Sequence, residues 1–333
     1  MGNEIRSLES VQSNNDVLVS IKCITYNHEP YIRQALDSFL MQKTNFRFEI
    51  VIHDDASTDK TQEIIKEYQK AYPDIIVPIL QKENQYSKRV DLDKFISPLL
   101  RGRYVALCEG DDYWTDPQKL QIQFDYMEKN PECSIFIHNI FFLNEQDPQK
   151  KLVKNQVNVP TGDYNLGDFL EFVMEKRTIG GTATYFYRKS MMPKNMYAEH
   201  FSFGDFFSLL GLRSGYMHYL DECMSVYRGG HTGSYNSVRN ELPFLLRNEQ
   251  WENYWLEMII ASEYMNLQMG YQYDKEFKRF QKWILKDPMF SLFRTDIYYK
   301  DSFLENVYGK LRYNRYLLFL YGLLKRCRLM LYK

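Results

Sequence analysis

Three carboxylates fall within four positions of YVALCEGDDYWTDP, residues 104–117: Glu109, Asp111 and Asp112. They follow directly on Tyr104–Cys108, an apolar run that reads as a buried strand. Like charges this close repel, so the cluster calls for a cation or for dense hydrogen bonding. Hard divalent ions take oxygen ligands, commonly one or two carboxylates completed by substrate phosphates and water. A solvated acidic turn, with Asp112 or Asp116 capping the next helix, accounts for the same residues without a metal. A second acidic group lies in EIVIHDDASTDKT, residues 49–61. There Asp54 and Asp55 end an apolar run, and Ser57 and Asp59 stand where a helix begins. Ser57 and Asp59 read most simply as helix caps. A carboxylate at Asp55 can accept hydrogen bonds from a base N–H or from ribose hydroxyls.

The elements that must carry these groups alternate between apolar runs and helical patterns. Val17–Thr25 reads as a strand buried on both faces, and Pro30 then opens a helix where its missing N–H costs nothing. Ile32, Ala35, Leu36, Phe39 and Leu40 follow at the spacing of one helical face. Strands are expected at Phe48–His53, Ile75–Leu80, Tyr104–Cys108 and Ser134–Phe142. Helices are expected at Asp59–Tyr72, at Leu92–Leu100 and after Asp116-Pro117. This alternation predicts an α/β fold with a mostly parallel, doubly wound sheet sandwiched by helices. Ligands bind such sheets at the carboxyl ends of strands, and both acidic groups fall there. From about Pro160 the pattern changes to mixed pieces: a strand at Thr182–Tyr187, a helix at Asp205–Leu212 and an extended stretch at Tyr216–Tyr227. Beyond about Asn240 the chain reads as helical and increasingly basic.

SIKCITYNHEPYIRQALDSFLMQ, EIVIHDDASTDKT and VALCEGDDYWTDPQKLQ, in this order and spacing, resemble the opening of the family-2 glycosyltransferases with the GT-A fold. The resemblance runs over about residues 17–235. It implies metal-dependent, inverting transfer of a sugar from a nucleotide-diphosphate donor, with UDP the expected nucleotide. It places Thr25, Tyr26 and Glu29 in the nucleotide pocket and Asp55 against the uracil. Glu109-Gly110-Asp111, followed by Asp112, stands for the DxD motif, with glutamate in place of the usual first aspartate. Asp111 and Asp112 are then the expected ligands of Mn²⁺ or Mg²⁺.

The same resemblance gives roles to residues that are ambiguous by themselves. Asp205, in SFGDFFSLL, matches the position of the catalytic base that takes the acceptor hydroxyl's proton; without it, Asp205 reads as a helix N-cap. His231, in SVYRGGHTGSYN, matches a histidine that reaches the metal or the diphosphate, although an extra glycine separates it from Arg228. Lys88 and Arg89 could neutralise the diphosphate or form a solvated charge pair. Trp114 could stack on a sugar or pack. His53 and His138 lie in strands and read as packed. Three regions follow: a polar tail, 1–16; a GT-A catalytic domain, 17–235, with a nucleotide-binding half at 17–142 and an acceptor half at 143–235; and a helical region, 236–333.

Composition excludes other classes more than it selects one. The 333 residues carry a net charge of −1, with no field suited to nucleic acid. The five cysteines are dispersed without a CxxC pair, which argues against a zinc site or a disulfide framework. The polar start is no signal peptide, and no apolar run approaches the ~18–20 residues that span a membrane. A cytoplasmic setting is expected. Residues 307–333 hold seven cations and no acids around the apolar Tyr316–Leu324. That suits a helix lying on an anionic membrane face, where a polyprenyl-linked or glycan acceptor of a bacterial surface polysaccharide would be met. Packing on its own domain or in a homodimer is the alternative. Rival functions are a sugar nucleotidyltransferase, which would want a glycine-rich loop that CITYNHEPYIRQ lacks, a glycosidase, and a non-catalytic carbohydrate-binding protein of the same fold.

Overall fold

The computed structural model describes residues 16–88, 90–175, 179–191, 212–231, 262, 265–266 and 269–286. Arg89, Asp205 and the basic segment 307–333 lie outside them, as does most of the tail before Asp16. The first half of the chain alternates β1 (Val17–Thr25), α1 (Ile32–Leu40), β2 (Arg47–Asp54), α2 (Thr61–Ala71), β3 (Ile76–Leu80), α3 (Asp93–Ile96) and β4 (Tyr104–Leu107). There follow β5 (Tyr113–Trp114), α4 (Lys119–Lys129), β6 (Cys133–Asn144), β7 (Leu152–Lys154), β8 (Gly162–Tyr164), α5 (Leu166–Met174), β9 (Phe186–Arg188), β10 (Tyr216–Gly229) and α6 (Asp274–Lys286).

The strands make one sheet in the order β3-β2-β1-β4-β9-β6-β10-β5, with β7 added beside β6 and β8 beside β10. β1, β2, β3 and β4 are mutually parallel, and β6 and β10 run the same way, while the short β5, β7, β8 and β9 pair antiparallel. β1 has strand neighbours on both edges; Val19, Ile21 and Cys23 are buried on one face, while Ser20 and Lys22 on the other are buried through bonds to Glu49 and Asp93.

Alternation along each strand divides the core into two layers. Ile50 and Ile52 of β2 join Ile21, Cys23, Leu36, Phe39, Ile65 and Trp114 on one face, whereas Val51 joins Val105, Leu107, Ile137 and Phe169 on the other. Full burial of a valine, leucine, isoleucine or phenylalanine side chain such as Ile21, Leu36 or Phe39 stabilises the fold by about 1.5–3 kcal/mol. α5 begins with a reciprocal capping box, Asn165 with Asp168, and α6 lies against it through Phe277 and Phe280 in the same apolar layer.

Two predicted elements differ in form. The helix expected over Leu92–Leu100 breaks after Ile96 into a 3-10 turn at Ser97–Leu99, where Pro98 removes a backbone donor. The strand expected from Thr182 begins only at Phe186, because Thr184 turns back and donates its hydroxyl to the Gly181 carbonyl at 2.7 Å.

Candidate active site

Parallel pairing sets the carboxyl ends of β2, β1 and β4 side by side, and this brings the two acidic groups together. The Asp55 amide donates to the Thr25 carbonyl at 3.0 Å, and the Gly110 amide donates to the Ile24 carbonyl at 2.9 Å. Thr25 therefore lies between Asp55 on one flank and Gly110 on the other. Contact there is close: a Cβ on Gly110 would sit 2.7 Å from Thr25 Oγ1 and 3.0 Å from His28 Nδ1. Glycine is what lets the acidic turn lie against β1.

The turn after β1 is clamped to the start of α2. Asn27, at φ 55°, donates its amide to Ser57 Oγ and accepts from the Thr58 amide, both at 2.8 Å. The His28 amide reaches Thr61 Oγ1 at 2.9 Å, and the Glu29 amide reaches Asp59 at 3.0 Å. Asp59 and Ser57 thus pin this turn rather than simply cap a helix. The clamp aims His28 inward, with Nε2 3.8 Å from Asp111 Oδ2.

His231 arrives on the same carboxylate oxygen from the far end of β10, its Nε2 3.0 Å from Asp111 Oδ2. The extra glycine between Arg228 and His231 does not displace the ring. Gly230 turns at φ 76°, where a Cβ would meet Asn144 Oδ1 at 2.2 Å, and the turn carries His231 back to Asp111. The two imidazole centroids are 6.3 Å apart, and Tyr31 lies 4.8 Å from the His231 ring.

The three acids of the turn have separate environments. Asp112 is buried, with Oδ1 accepting from the Arg228 amide at 2.8 Å and Oδ2 without a partner. Burial, then the neighbouring Asp111 and Glu109, raise its pKa well above the carboxylate range. Burial and Asp111 push Glu109 to about 7. Burial also acts upward on Asp111, but the His231 hydrogen bond and the nearby His28 outweigh it and hold this carboxyl below its ordinary value. Asp111 is the acid of the three whose carboxyl is held below its ordinary value.

A divalent cation here would have to share its coordination between protein and substrate. Among the described residues no group of three or more His, Cys, Asp or Glu forms a cage for a metal. Asp111 and His231 would supply two protein ligands, leaving the rest to diphosphate oxygens and water, as hard cations at phosphate sites commonly require. The unpartnered Asp112 Oδ2 behind them is a further acceptor within the turn.

The remaining expected site residues are placed as follows. Tyr26 is 44% exposed beyond β1. Glu29 accepts from the Lys60 amide at 3.1 Å, so its carboxylate is tied to the start of α2. Asp55 is buried and accepts from the backbone amides of Gln85 and Tyr86 at 2.8 and 2.9 Å. Lys88 pairs with Glu83 on the surface of the same loop. Trp114 is a packing residue: it is 1% exposed, lies 4.8 Å from Phe39 and donates Nε1–H to the Ala183 carbonyl at 3.1 Å. His53 and His138 are fully buried, as their strand positions predicted. His28, Tyr31 and Gln34 are the residues at the site that sequence patterns did not single out. Their signal was positional, since they follow the end of the central strand.

A sequence profile of glycosyl transferase family 2 matches residues 20–207, more than half of the chain. The chain belongs to that family. An uncharacterised protein of Mycobacterium bovis is 46% identical over 127 residues, 38% of this chain and 36% of its own. A Bacillus subtilis family relative, provisionally named the teichuronic acid biosynthesis glycosyltransferase TuaG, is 34% identical over 110 residues, 33% of this chain and 42% of its own. The matched stretch is thus well under half the length of either relative. Residues 1–349 of S. aureus TarS, solved in complex with UDP-GlcNAc, superpose with a TM-score of 0.59 at 15% identity, covering 89% of this chain and 81% of that one. That likeness is one of fold, and it gives the family-2 sheet described above its GT-A architecture.

Proposed function

We propose that this chain is an inverting glycosyltransferase that moves a sugar from a nucleotide-diphosphate donor, expected to be UDP-linked, onto a hydroxyl of a glycan or lipid-linked acceptor. The observation that carries the reading is the convergence on Asp111. One carboxylate at the junction of β1 and β4 is approached by His231 at 3.0 Å and faced by His28 at 3.8 Å. Asp55 lies two strands across, at the end of β2. A donor with its base near Asp55 and its diphosphate near Asp111 would span the ends of β2, β1 and β4.

A divalent cation held by Asp111 and His231 would neutralise charge developing on the departing diphosphate. Asp205 is the assigned base, by its match to the family's motif; it accepts the acceptor hydroxyl's proton as the oxygen attacks the anomeric carbon from the face opposite the diphosphate. A role in assembling a bacterial surface polysaccharide is supported by the teichuronic acid name of the B. subtilis relative.

The decisive measurement is thermal stabilisation by UDP plus Mn²⁺, expected to exceed the sum of the separate effects. Asp205→Asn should keep that stabilisation and lose at least a hundredfold in transfer rate, the lower range for loss of a general base. Full transfer by Asp205→Asn would refute the base assignment, and no stabilisation of the unaltered chain by UDP with Mn²⁺ would refute the donor.

A further inference from the structure

We infer that Arg228 is the positioning residue of this site, holding the Asp111–Asp112 turn and the His231 loop in one geometry for the metal–diphosphate end of the donor. The inference rests on the transferase reading above. Its basis is that the segment 228–231 grips residues 111 and 112 at three points. The Arg228 amide donates to Asp112 Oδ1 at 2.8 Å, its Nε donates to the Asp111 carbonyl at 2.8 Å, and His231 meets the Asp111 carboxylate at 3.0 Å. One residue of the acidic turn is thus held by its main chain through Arg228 and by its side chain through His231.

The rest of the guanidinium ties that grip to two further elements. Arg228 donates through Nη2 to Gln34 Oε1 of α1 at 2.6 Å and through Nη1 to Glu145, just past β6. The rings of Tyr31 and Tyr113 lie 4.7 and 5.3 Å from its charge centre. Glu145 is held in turn by Lys150 at 2.7 Å. The Arg228 side chain is only 6% exposed, so these partners replace its water. A guanidinium has donors in a fixed plane, and here they run to a carbonyl, an amide and a carboxylate on three separate segments. Lysine keeps the charge but cannot hold three such acceptors in one plane.

Arg228 touches the main chain of Asp111 rather than its carboxylate, so its effect on a ligand passes through Asp111 and His231. That predicts a selective defect. The base end of the pocket, at Asp55, belongs to β2 and its loop and does not contact Arg228.

The test uses the full chain, with uridine, UDP alone, and UDP with Mn²⁺ as probes, read by calorimetry. Arg228→Lys should weaken UDP–Mn²⁺ binding at least tenfold while uridine affinity changes less than twofold. A general loosening of the fold would weaken both. Unchanged UDP–Mn²⁺ affinity, or equal loss for uridine, overturns the inference. Should Arg228→Lys fail to fold, Gln34→Ala decides. It removes one anchor of the fork from the α1 side, and a threefold or greater selective loss is expected. Wild-type affinity in Gln34→Ala then overturns the inference. Failure of the unaltered chain to bind UDP with Mn²⁺ overturns the donor reading and this inference with it, an outcome distinct from a variant that matches a binding-competent parent.

Discussion

The carboxylate of Asp55 accepts from the backbone amide of Tyr86 at 2.9 Å, and its other oxygen accepts from Gln85 at 2.8 Å. One buried side chain at the end of β2 therefore shapes the loop after β3, besides being the expected contact for the donor's base. Asp55→Asn keeps the shape but turns an NH₂ group toward one of the two amides. Leaving a buried donor unpaired costs about 1–3 kcal/mol, so stability should fall within that range. Faster hydrogen exchange at Gln85 and Tyr86 and a weaker uridine affinity should accompany the loss. An unchanged uridine affinity would leave Asp55 a loop anchor alone.

Gly110 allows no side chain. A Cβ would stand 2.7 Å from Thr25 Oγ1 and 2.8 Å from Thr25 Cβ, a strand atom with little freedom to move. Gly110→Ala must therefore push the acidic turn away from β1. Overpacking of this kind costs about 1–3 kcal/mol. The displaced Asp111 should also abolish the Mn²⁺-dependent part of UDP binding, measured as the difference in UDP affinity with and without the ion.

Trp114 follows the acidic turn closely enough to suggest a sugar platform, but its ring is enclosed by Phe39 and Lys119, at 4.8 and 4.1 Å. Trp114→Phe removes the bond to the Ala183 carbonyl and part of the contact surface. Chemical denaturation should show a loss of about 1–3 kcal/mol from the unpaired carbonyl and the smaller ring. UDP–Mn²⁺ affinity should hold within twofold.

The parallel half of the fold was legible because its strands are apolar runs closed by acids, and its helices carry one apolar face. Both acidic groups were placed correctly at strand ends by that pattern alone. The partners of those acids were less legible: His231 was pointed to by the family resemblance alone, and Arg228 was given no role. Arg228 and His231 stand more than a hundred residues from Asp111, and only the pairing of β10 with β5 and β6 brings them there. His28 lies nearer in sequence, but nothing in its neighbours shows that Asn27 turns through positive φ to aim it inward. The short strands β5, β7 and β8 hold two or three residues each and leave no periodic trace. The environments that separate Glu109, Asp111 and Asp112 are likewise products of packing, since the three share one stretch of sequence.

Lys119 supplies a prediction that does not depend on any ligand. Its side chain is fully buried against the Trp114 ring, with Nζ donating to Gln123 Oε1 at 2.8 Å, and burial lowers its pKa to about 7. In the unfolded chain this lysine titrates near its ordinary value of about 10.4. Between those two values the unfolded state binds a proton that the folded state lacks, so this group makes stability rise with pH across that window. Its contribution is complete above the unfolded pKa and is lost as pH falls to about 7. Buried groups such as Cys23 and Cys108 have raised pKa values and act in the opposite sense above about pH 9. The comparison must therefore be between the parent and Lys119→Met, which fills the same space without a charge. Gln123 loses its donor in that variant at every pH, which offsets the two curves without tilting them. The difference in unfolding free energy, parent minus variant, should climb by about 1.4 kcal/mol per pH unit from pH 7 to 10 and stay flat below. A difference independent of pH would mean that Lys119 keeps its proton in the folded core, stabilised by the indole face beneath it.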